Sequence, residues 1–117
     1  MNRPVYLAFA TGPQGATTEF LNRVAESNPD CTLLVVARQR PSQLPDGAEV
    51  VAFPAMLGQA IAGRSIRGAA IHATRQGGEW NMRWTALRLA GRDLRLYNDN
   101  LDHFRIGDFP TLWSHLK

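Results

Sequence analysis

"VYLAFATGPQGATTEFLNRVAESNPDCTLLVVA", residues 5–37, is the stretch from which the rest of the chain is read. Val5–Ala10 is a short apolar run of strand formers, closed by Thr11-Gly12-Pro13. Phe20, Leu21, Val24 and Ala25 then recur at helical spacing, and Asn28-Pro29 stops the repeat. Thr17 or Thr18 is the expected cap, because a hydroxyl there accepts from the free N–H groups of a first turn. Glu19 suits the positive end of the same helix. Thr32–Ala37 is continuously apolar, as a strand is when helices cover both its faces. Strand, amphipathic helix and buried strand predict a parallel βαβ unit.

The remainder repeats the alternation. Glu49–Phe53 reads as a third strand, and Pro54 suits the first turn of a helix in which Met56, Leu57, Ala60 and Ile61 share a face. Gly68–Thr74 reads as a fourth strand. Trp80, Trp84 and Leu87 recur at helical spacing before Gly91 and are expected to pack on the sheet. Leu94–Tyr97 is a fifth strand, and "DFPTLWSHLK" a short closing helix with Leu112, Trp113 and Leu116 inward. The expectation is one domain over residues 1–117, a three-layer α/β/α sandwich of about five mostly parallel strands, Rossmann-like or flavodoxin-like. Strands one, two and four should be the most buried. Residues 38–48 are the weak link, since they show no helix and a parallel crossover usually takes a dozen or more residues. Either an irregular loop crosses there or one edge strand runs antiparallel.

Composition narrows the class. The 117 residues are 44% hydrophobic and 20% charged, as in ordinary soluble domains. A chain of this size buries roughly two-thirds of its unfolded surface and needs no metal or disulfide staple. Cys31, the single cysteine, opens an apolar run and is expected to be a buried thiol in a reducing compartment. The N-terminal apolar stretch is too short for a signal peptide, and no run approaches the ~20 residues of a membrane span. A cytoplasmic location away from membranes is expected. The net charge of +3 rests on arginine, with Lys117 the sole lysine. Arg38/Arg40, Arg64/Arg67 and Arg88/Arg92/Arg95 are the only local groups, without the dense basic stripe of a nucleic-acid surface. Nucleic acid is not an expected partner.

Open parallel sheets bind ligands beyond the carboxyl ends of their strands. Four segments meet that rule, one of them the end of the third strand around Pro54. In the first loop, Thr11, Gly12, Gly15 and Thr17 form a glycine-bearing turn into a helix, where N–H groups and the helix dipole can cradle phosphate. It is neither a Walker A motif nor G-x-G-x-x-G, and a plain strand-to-helix turn is the alternative. Past the fourth strand, Thr74 and Arg75 are candidate anion contacts, while His72, inside the strand, reads as a packed histidine. In "YNDNLDHF", Asn98, Asp99, Asp102 and His103 contact a ligand, supply acid–base pairs or a metal site from Asp99, Asp102 and His103, or cap the strand end by bonding their own backbone, the plain reading. No metal set, nucleophile elbow, CxxC or HExxH spacing is present, so neither a catalytic group nor a cofactor is specified.

"ATGPQG", "LLVVARQ", "VVAFP" and "LRLYNDNLDHF" together resemble one Rossmann-like half of the two-domain GT-B glycosyltransferases. Residues 85–106 look like the end of small domains that accompany bacterial sugar-transfer proteins. The resemblance implies that Asn98, Asp99 and Asp102 are motif positions. It also implies partners: a nucleotide-sugar or other small anionic metabolite, and a second copy or a glycosyltransferase. The second lobe, which binds the donor in such enzymes, is missing, so a self-sufficient transferase is not expected. The leading expectation is a binding module for a nucleotide, sugar or anionic metabolite; the alternative is a non-catalytic interaction or oligomerisation domain.

Overall fold

Val5–Phe9 forms β1, and all five of its side chains are fully buried, as a continuous apolar run requires. The computed structural model describes residues 3–10, 14–38, 40–72, 80–90, 93–97, 100–101 and 103–106, with the backbone alone described at 14–17, 80–83, 103, 104 and 106. From β1 the chain enters α1 (Gln14–Ser27), returns through β2 (Thr32–Ala37) and crosses to β3 (Glu49–Ala52). It continues through α2 (Leu57–Ile61), β4 (Ile66–His72), α3 (Trp80–Leu89), β5 (Leu94–Tyr97) and β6 (His103–Ile106). These strands form one sheet in the order β3-β2-β1-β4-β5-β6. The first five are parallel, and β6 pairs antiparallel with β5. This is the Rossmann order rather than the flavodoxin order 2-1-3-4-5.

Alternation along the strands sorts the core into two layers. Tyr6, Ala8, Leu33, Val35, Ala70 and Tyr97 share one cluster with Phe20, Leu21 and Val24 of α1. Leu7, Phe9, Leu34, Val36, Ile71 and Leu96 face the other way, where Leu57 of α2 and Ala86 of α3 close the layer. β1, β2 and β4 are the most buried strands, as predicted, because they are central and covered on both sides. β3, at the edge, is exposed at both ends.

Several expectations are corrected. α1 begins at Gln14, so Thr17 and Thr18 lie inside the helix and do not cap it. Its other end is as read: Asn28 Nδ2 donates to the Val24 carbonyl at 2.9 Å, and Pro29 cannot continue the helix. Between β2 and β3 the chain crosses as an irregular loop, and β3 is parallel to β2. Leu44 and Ala48 of that loop pack against the α1-side cluster, supplying the apolar cover that a crossover helix would bring. Trp84 and Met56 are 45% and 47% exposed instead of packed on the sheet. α3 turns the small Ala86 to the core, Ala90 is buried just past its end, and two residues of helix rotate Trp84 about 200° from Ala86. Met56 is the N-cap of α2, outside its one buried position, Leu57. β6 is a strand that the sequence reading did not contain. The closing helix expected at 108–117 lies outside the described residues.

At the amino edge of the sheet Arg95 and Arg105 stand opposite each other across β5 and β6. Like charges so placed repel, and Asp93 offsets them. It accepts two bonds from Arg95, at 3.0 and 3.2 Å, and pairs with Arg105 at 3.5 Å. The Arg95 guanidinium also lies 5.3 Å from the Tyr6 ring centroid. Burial pushes the Tyr6 phenol well above its ordinary range, and the phenol donates to the Ala69 carbonyl at 3.4 Å.

Cys31 is 8% exposed, in keeping with a structural thiol. Burial first, and then the Asp30 carboxylate 3.7 Å away, raise its pKa above the ordinary thiol value. The folded state therefore favours the thiol over the thiolate. That preference contributes stability below the unfolded thiol's pKa of about 8.5 and is lost as the pH rises through the folded value. At pH 8 a disulfide-exchange reagent should label the native protein much more slowly than the protein in urea. Equal labelling rates would refute the assignment.

Candidate functional site

The parallel strands end together at one edge. Phe9 closes β1, and the next residue, Ala10, donates its N–H to the Val36 carbonyl of β2 at 2.9 Å. Past β3, the Phe53 N–H donates to the Ala37 carbonyl at 3.0 Å, so the ends of β2 and β3 are held side by side. His72, Tyr97 and His103 pair in register across β4, β5 and β6, one residue from each strand at the same edge.

Phe20 ties α1 to this edge. Phe20 stacks on His72, with centroids 5.3 Å apart and planes 13° apart, and meets Tyr97 edge-on at 5.3 Å and 75°. His72 is 1% exposed, so it is a packed residue and not an exposed base, as its position inside a strand led one to expect. Because α1 follows β1, its N-terminal end and the partial positive charge of its unpaired N–H groups belong to the carboxyl edge. The order of travel across the sheet reverses between the neighbours β1 and β4, so the crevice lies between their ends.

Of the residues nominated from sequence, Gly15 and Thr17 sit in the N-terminal part of α1, and His103 is the first residue of β6. Thr11, Gly12, Thr74, Arg75, Asn98, Asp99 and Asp102 lie outside the described residues. The topology nonetheless brings the strands that precede them, β1, β4 and β5, into one half of the sheet with their carboxyl ends aligned.

One side chain was seen in the sequence only as part of a basic pair. Arg38 is the residue after β2, and its guanidinium carbon lies 5.2 Å from the Phe53 ring centroid. Cation–π contact of this kind helps to orient a guanidinium. Its place, next after a buried apolar strand, was the signal that could have singled it out. Among the described residues no three His, Cys, Asp or Glu gather as a metal site, and no helix is long and apolar enough to cross a membrane.

Comparison with family models, with curated proteins and with solved structures returns no match in any of the three. The fold therefore rests on the chain's own strand order and pairing.

Proposed function

We propose that this domain binds a phosphorylated nucleotide across the crevice between β1 and β4, with phosphates toward α1 and the ribose toward Arg38. The observation that carries the reading is the strand order β3-β2-β1-β4-β5 with its reversal at β1/β4. In sheets of this order the pyrophosphate meets the first helix N-terminus, and the residue past the second strand meets the adenosine ribose. An acid at that place accepts from a 2′-hydroxyl, whereas an arginine pairs with a 2′-phosphate. Here the place holds Arg38, oriented on Phe53, with Arg40 two residues on and no Asp or Glu before Asp46. The reading thus favours a 2′-phosphorylated dinucleotide such as NADPH over NADH. A nucleotide-sugar, the ligand suggested by the glycosyltransferase resemblance, presents the same pyrophosphate but nothing for Arg38 to select.

Thermal-shift and calorimetric titration with NADPH, NADH and UDP-glucose separate these ligands. A true ligand at 100 times its Kd stabilises by about 2.7 kcal/mol, a rise in Tm on the order of 10 °C. NADPH is expected to give the largest shift. Arg38→Ser should weaken NADPH by roughly tenfold or more, the worth of a bond to a charged group, and leave NADH unchanged. A shift with UDP-glucose alone would transfer the site to sugar donors. No shift with any of the three would overturn the proposal and leave the interaction-domain reading.

A further inference from the structure

On the sheet face away from α1, a groove of about 560 Å³ runs between α2 and α3. Its walls are Phe53, Leu57 and Ile61 on one side and Trp84, Thr85 and Arg88 on the other. Trp84 and Met56, the exposed large apolar side chains among the described residues, both belong to this pair of helices or their ends. Of the two, Trp84 lines the groove, and a large exposed aromatic on the wall of a cleft points to a contact.

The groove's charge and dimensions say which contact. Among the described residues no acid lines it, and Arg88, one turn beyond Trp84, makes no ion pair. The volume falls within the roughly 300–1,000 Å³ of small-molecule clefts. α2 has five residues, a length of about 7.5 Å, too short a rail for a partner helix to lie along. A single guanidinium matches one carboxylate fork, and aromatic walls match a flat apolar body. We infer that the α2/α3 groove binds a planar aromatic monocarboxylate, its ring against Trp84 and its carboxylate on Arg88. The inference does not rest on the nucleotide reading, although Phe53, beside which Arg38 lies, also forms one wall of the groove.

The probe is 2-naphthoate, titrated into the full chain by calorimetry and by tryptophan fluorescence, with neutral 2-naphthamide beside it. The acid should bind at least about tenfold tighter than the amide, and Arg88→Gln should bring the two level. Gly58→Leu should fill the groove and abolish binding. A Cβ at Gly58 meets nothing within 4 Å, so that variant should keep the wild-type melting curve. Arg88→Gln alters an exposed side chain and answers the question even if Gly58→Leu does not fold. No binding of naphthoate at millimolar concentration, equal binding of acid and amide by the unaltered protein, or unchanged binding in a folded Gly58→Leu would each overturn the inference.

Discussion

Phe20→Ala is expected to lower the stability of the domain by about 3–5 kcal/mol, the range for deleting a fully buried aromatic ring. Phe20 is completely shielded from solvent and is the contact through which α1 meets the ends of β4 and β5. Its removal opens a cavity and also deletes a stacked and an edge-on ring contact. A domain of this size is stable by about 5–15 kcal/mol in all, so the loss is a large share. Urea unfolding should show a lower midpoint with an unchanged slope. Phe20→Leu keeps most of the volume and should cost clearly less. A loss below about 1 kcal/mol for the alanine variant would mean that the ring is not packed between His72 and Tyr97.

Gly68→Ala should cost about 3 kcal/mol, at the upper end for adding a methyl group to a filled core. A Cβ at this position in β4 would lie 2.5 Å from the Asp93 carbonyl oxygen, 2.8 Å from Tyr6 Cε2 and 2.9 Å from Asp93 Cβ. None of the three can yield cheaply. The Asp93 carbonyl accepts from the Ala69 N–H at 2.9 Å, and its carboxylate holds Arg95 and Arg105. Tyr6 is fully buried with its hydroxyl on the Ala69 carbonyl. Glycine within a strand often marks such a close approach of another backbone. Thermal unfolding should report a fall in Tm on the order of 10 °C. Gly58→Ala, in open space, is the matched control and should leave Tm within a degree or two. Equal melting of the two variants would show that Gly68 is not confined.

The candidate site was legible in outline. The glycine-bearing turn and the residues after the fourth and fifth strands could be named from sequence, because a strand's carboxyl end is visible wherever an apolar run stops. Arg38 escaped, since its place after a buried apolar strand was its one signal and it was read only as half of a basic pair. What distinguishes it is the Phe53 ring, fifteen residues away in the chain and adjacent only because β3 pairs with β2. The Trp84 error has the same root. Of the stripe Trp80, Trp84 and Leu87, Leu87 does pack against the core, but Trp84 faces out, because the fully buried position of α3 is Ala86.

By itself the sequence determined the class of the fold, the course of β1 and β2 and the end of α1, whereas β4 begins at Ile66, two residues before the Gly68 read from the sequence. Continuous apolar runs such as 5–9 and 32–37 have no polar face to give to water, so they must lie in a sheet covered on both sides. Asn28-Pro29 stops a helix wherever it occurs, because proline has no N–H to donate. Tertiary structure decided the strand order, the parallel course of β3 without a crossover helix, and the antiparallel β6. Those depend on which strands meet, a matter of contacts between residues far apart in the chain. No local run of residues encodes them. β6 gains its pairing from β5 alone, and the crevice between β1 and β4 exists only once 56 residues of intervening chain have folded back to set those two strands side by side.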